Sequence, residues 1–136
     1  MDLKNPENFR ERLAQLREAL FQLHKALVDS ERVSYEQNIG TIPSANHFLQ
    51  LLTNDPWFAW LHPLSQLIVA MDDALDAKAK IPMTHEIAAA LVRRTAALLV
   101  ASETGEGFAR HYFDALQRDP DVVMAHAAAA KWFRPR

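Results

Sequence analysis

The chain contains no cysteine. Disulfides, thiolate nucleophiles, iron–sulfur clusters and cysteine-type zinc sites are therefore excluded, and a reducing compartment is the natural setting. Glycine is nearly absent too, with three in 136 residues. There is no P-loop, no G-x-G-x-x-G dinucleotide turn and no G-x-S-x-G nucleophile elbow. Basic charge is not in surplus: 15 Lys and Arg stand against 17 Asp and Glu, a formal net charge of −2. Nucleic-acid binding proteins usually show a basic face or stripe, so we expect no nucleic-acid partner. A long apolar run is also missing. The most apolar stretch, Ile87 to Ala101, is broken by Arg93 and Arg94 and is shorter than the ~20 residues of a membrane span. The first residues, MDLKNPENFRERL, are charged and carry no apolar leader segment. We expect no membrane association and a cytoplasmic location.

What is present favours helix. Apolar residues make up 49% of the chain and charged residues 24%, the balance of a globular protein. We read residues 1–136 as one domain, large enough to bury roughly two-thirds of its unfolded surface. Alanine and leucine are abundant and no strand-like alternation occurs. Five of the seven prolines mark helix starts: Asn5-Pro6, Pro43-Ser44, Asp55-Pro56, Pro82 before Thr84, and Asp119-Pro120. Asn, Asp, Ser and Thr accept hydrogen bonds from free amides of a first turn, and proline has no amide to leave unpaired there.

Helix one is expected from Pro6 towards Ile39, with the seam Phe9, Leu13, Leu16, Leu20, Leu23 and Leu27 at steps of four and three. Beyond Leu27 the polar run Asp29-Ser30-Glu31-Arg32 interrupts it. A straight helix of that length spans ~50 Å, whereas a compact domain of this size is ~35–40 Å across. Either the helix bends at the polar run, or one end projects and pairs with a second subunit. Further helices are expected over Ser44–Thr53, Asp55–Ala77, Thr84–Ala101, Phe108–Arg118 and Asp119–Phe133. Pro63 interrupts the third of these, so that helix either kinks or restarts there. The expected fold is an all-α antiparallel bundle of four main helices with one or two short ones.

No catalytic motif is visible. No acid has a histidine three residues later, and no two histidines share a helical face, so neither a di-metal carboxylate site nor a local zinc site is encoded. No cofactor and no metal are implied, and no residue is assigned a catalytic role. Polar residues on apolar stripes are the places where function could sit. His24, Glu31 and Tyr35 fall on one stripe of helix one, and could form a pocket or an ordering network. Arg94 interrupts Ile87, Leu91 and Leu98, which calls for an acid partner (Glu31 or Asp72) or an anionic ligand. Its face is ambiguous, because Val92 and Leu99 define a second apolar side. Asp72 flanks the stripe of the third helix, and His126 lies on that of the last. Trp57, Phe58 and Trp60 cannot all face one core, which makes them a candidate interface.

The stretches DPWFAWLHPLSQLIVAMDD and LHKALVDSERVSYE resemble a group of small helical proteins from bacterial genomes with no assigned activity. The resemblance implies a helical fold in a bacterial cytosol and carries no catalytic residue. The leading functional expectation is a non-enzymatic interaction or scaffold protein, acting as a homodimer. The alternative is a bundle that binds a small molecule or metal through polar residues between helices one, three and four.

Overall fold

The computed structural model describes residues 6–134. Over them the chain is all-helical: α1 (Pro6–Asn38), α2 (Ala45–Asn54), a 3-10 helix (Pro56–Leu61), α3 (His62–Leu75), α4 (His85–Leu98), α5 (Phe108–Arg118) and α6 (Pro120–Phe133). No strand occurs among the described residues. No helix is long and apolar enough to cross a membrane.

The helix starts follow the proline punctuation. Ser44 accepts from the His47 amide, Asp55 from Trp57, Thr84 from Ile87 and Asp119 from Asp121. Each bond satisfies a first-turn donor that has no intrahelical partner. Asn5 lies outside the described residues. Pro63 resolves as a restart: the 3-10 helix ends at Leu61, and α3 begins at His62 with Pro63 in its first turn. Proline costs no backbone hydrogen bond at that position. Gly107 precedes α5 with φ +61° and ψ −134°, a backbone conformation that side-chain-bearing residues rarely adopt.

α1 is the axis of the molecule, and α6, α3, α4, α5 and the 3-10 helix all pack on it. Phe9, Leu13, Leu16, Leu20, Leu23 and Leu27 are all buried. The helix runs unbroken for 33 residues, and two sets of partners cover its length. Near its start, Phe9 meets His85, the Arg10 guanidinium donates to the Leu75 carbonyl, and Arg12 donates to the Trp132 carbonyl. Near its end, Glu31 meets Trp57 and Arg118, and Tyr35 packs on Trp57 and Phe58. The length of α1 is thus used within the chain. The contacts Arg10–Leu75, Arg17–Asp72 and His24–Ser65 show positions rising along α1 against positions falling along α3.

The aromatic group is placed by the same logic. Phe58 is fully buried between Tyr35 and Phe48, and Trp60 is buried against Phe108 and His111. Trp57 is half-buried, with its indole N–H on Glu31. These rings face other helices of the same chain: Trp57 and Phe58 meet Tyr35 of α1, Phe58 also meets Phe48 of α2, and Trp60 meets Phe108 and His111 of α5. The surface they were expected to present is therefore occupied internally. The alanine runs behave as contact surfaces in part: Ala88, Ala129 and Ala130 are buried, while Ala127 and Ala128 are exposed.

Candidate ligand-binding site

Where the leucine seam ends, the same face of α1 continues in polar form. Ser30 and Glu31 are buried there. Glu31 accepts from the Trp57 Nε1–H at 2.9 Å and from the Arg118 Nη2–H at 2.7 Å. Arg118 also donates from Nε to the Ser30 hydroxyl at 3.0 Å. The carboxylate is therefore neutralised and hydrogen-bonded, which makes its burial tolerable. The network joins α1, the 3-10 helix and α5.

The other polar residues singled out from sequence disperse. His24 is half-buried, with Nε2 2.9 Å from the Ser65 hydroxyl, which itself donates to the Leu61 carbonyl. Desolvation lowers its pKa from the usual histidine value. Tyr35 serves as an aromatic contact. Asp72 is exposed and forms a two-pronged pair with Arg17 at 2.7 and 3.2 Å. Arg94 is exposed and pairs with neither Glu31 nor Asp72; Thr95, one residue on, takes the buried position with Ala88 and Leu99. The expected convergence between helices one, three and four therefore does not form. One step along a helix turns a side chain by 100°, and of the two apolar sides the sequence offered, it is the one with Leu99 that is buried, which leaves Arg94 on the surface.

His126 has local partners as well. Its Nδ1 lies 2.6 Å from the Tyr112 hydroxyl and its Nε2 lies 3.3 Å from the Arg134 guanidinium. Arginine can only donate, so Nε2 accepts and the ring proton sits on Nδ1, facing Tyr112. Desolvation and the Arg134 charge lower the His126 pKa, and burial raises that of Tyr112.

The position of Arg94 draws attention to its neighbour. Arg93 lines a cavity of about 230 Å³ between α1 and α4, with Phe9, Arg12, His85, Ala88, Ala89 and Val92. Its walls are apolar, apart from two guanidiniums and one imidazole. Neither Arg12 nor Arg93 makes an ion pair among the described residues, and no acid lines the space. Arg12 is half-buried. Among the described residues its one hydrogen bond, from Nη2 to the Trp132 carbonyl, is long at 3.3 Å, and its buried Nε–H has no partner. Buried donors are normally satisfied, so an orphan calls for a reason. Sequence reading missed this site because Arg12 and Arg93 sit 81 positions apart. The one local signal was the arginine doublet Arg93-Arg94, which that reading assigned to the wrong member.

A cavity of 150 Å³ suffices for benzene, so this one has room for a small organic molecule. Its chemistry suits a carboxylate or similar anion on an apolar body, since guanidinium pairs with carboxylate by charge and by geometry. No group of three or more His, Asp or Glu side chains that could hold a metal occurs among the described residues. Comparison with known protein families, with curated proteins and with solved structures finds no match to this chain.

Proposed function

We propose that the protein is a non-enzymatic, ligand-binding helical bundle. Its four longest helices, α1, α3, α4 and α6, form an antiparallel scaffold, and the space between α1 and α4 takes a small organic anion. One observation carries this reading: among the described residues, half-buried Arg12 and exposed Arg93 have no acid partner at a largely apolar cavity, whereas Arg118 and Arg17 are matched to acids. Unpaired guanidiniums beside an apolar chamber supply both halves of an amphiphilic site, namely a charge to orient the head and a wall to desolvate the tail.

Titration calorimetry with octanoate and with 1-octanol tests the reading. The two share a tail and differ in charge. A hydrogen bond to a charged group contributes about 1.5–3 kcal/mol, so octanoate should bind roughly ten- to a hundredfold tighter. Equal affinity for both, or none for either, defeats the proposal.

The scaffold reading, with a homodimer, keeps less support. Besides the lack of a catalytic motif, its motives were the length of α1 and the surplus aromatics, and these two are met within the chain. Light scattering decides it directly: a dimer at micromolar concentration would restore it, and a monomer would remove it.

A further inference from the structure

A second cavity, of about 520 Å³, has a lining that begins at Ala96, one turn of α4 beyond Val92 of the first. It is lined by Ala96 and the C-cap Leu99 of α4, by Val100 just beyond that helix, and by Leu116, His126, Phe133 and Arg134. The α4 residues of both cavities belong to one series. His85, Ala89 and Val92 of the first lead to Ala96 and Leu99 of the second at steps of three and four, which is one face of a helix. The boundary is also identifiable. Arg12 lines the first cavity and donates to the carbonyl of Trp132, whose next residues, Phe133 and Arg134, line the second. Arg93 is the last α4 residue of the first cavity before Ala96 begins the second. Arg12, through Trp132, and Arg93, through its place in α4, thus mark the junction between the two linings, the second cavity being more than twice the size of the first.

We infer that the natural ligand is a long straight-chain carboxylate. Its head sits between Arg12 and Arg93, and its tail runs along α4 into the larger cavity. This rests on the α1–α4 cavity being a binding site, as proposed above. A short acid fills the small chamber, whereas a chain too long for it has a further, mostly apolar cavity along the same helix face, with His126 and Arg134 as its polar residues. The junction opens easily, because a single long hydrogen bond and an orphan Nε–H hold Arg12 weakly in place. The Trp132 carbonyl it would release belongs to a helix C-terminus, where water can replace the donor.

The test is a chain-length series, octanoate through tetradecanoate, measured by calorimetry below micellar concentrations on the wild-type chain and on Val100→Trp. Val100 is 51% exposed, so tryptophan there fills the larger cavity from its rim without entering the core. Burial of a methylene strengthens binding by up to about fourfold. In a partly open chamber, six more methylenes should give a gain of at least about tenfold. The expected result is that gain in wild type, its loss in Val100→Trp, and unchanged octanoate binding in both. A plateau beyond octanoate overturns the long-chain assignment and leaves the small-anion site standing. So does a Val100→Trp protein that still binds tetradecanoate as wild type does. If no member of the series binds, both this inference and the proposed function fail.

Discussion

The two ends of α1 use arginine in opposite ways. At the C-terminal end, Arg118 reaches from α5 to a buried carboxylate and a buried hydroxyl, and every charge has a partner. At the N-terminal end, Arg12 and Arg93 look into an apolar cavity with no acid among the described residues that line it. The composition is nearly balanced in charge, so the difference is one of placement. A paired guanidinium fixes the packing of helices, and an unpaired one beside apolar walls leaves an interaction unfilled. The contrast separates a structural network from a candidate binding site within one molecule.

The largest expected effect comes from breaking the paired end. Arg118→Met leaves the Glu31 carboxylate buried with only the Trp57 indole to hold it. Removing one partner of a fully buried pair costs about 3–5 kcal/mol. Arg118 is about one-third exposed (34% for its side chain), so roughly 2–3 kcal/mol is expected in urea denaturation. A loss below about 0.5 kcal/mol would put the network in the class of surface pairs. Adding Glu31→Gln to Arg118→Met should recover part of the loss, because the orphaned charge is removed. The double-mutant cycle should then show a coupling of about 1 kcal/mol or more.

Acid should weaken the fold through two of its half-buried histidines, His24 and His126. Both His24 and His126 have pKa values lowered in the folded state, by desolvation in each case and also by Arg134 for His126. The unfolded chain therefore takes up protons first. The stability these groups confer is present above the ordinary histidine value of 6.5. It is lost as the pH falls from there towards the lowered folded values. Denaturation midpoints measured between pH 7.5 and 5 should fall, and His24→Gln should flatten that slope. An unchanged slope in the variant would show that His24 is not titrating in this way.

The smallest stability effect is expected at the unpaired end. Arg12→Met should change stability by less than about 1 kcal/mol, since the guanidinium gives up one long hydrogen bond and an orphaned N–H. The same substitution should abolish the preference for octanoate over octanol. A large loss of stability with unchanged ligand preference would reverse the comparison between the two ends.

Much of the fold was legible because it is written locally. Proline with Asp, Ser or Thr states where a first turn begins, and the leucine seam states which face of α1 is buried. The polar run after Leu27 was legible only as an interruption. Its meaning depends on Arg118, 87 positions from Glu31, and no local spacing encodes that distance. The site was less legible still. A cavity is a property of how α1 and α4 meet, and a helical wheel cannot decide between Arg93 and Arg94 when both flanks of α4 carry apolar residues. His24 and Asp72 were correctly seen as polar groups near apolar stripes, yet each is satisfied by one neighbour, Ser65 and Arg17 respectively.

The most direct test of the binding site reads the arginine side chains themselves. Nitrogen-15 correlation spectra resolve Nε–H groups, and octanoate can be titrated against them. The account predicts saturable shifts of the Arg12 and Arg93 signals, with Arg118 unmoved because its Nε–H is already donated to Ser30. Shifts spread evenly over all arginines, or confined to ones that do not line the cavity such as Arg94, would contradict it.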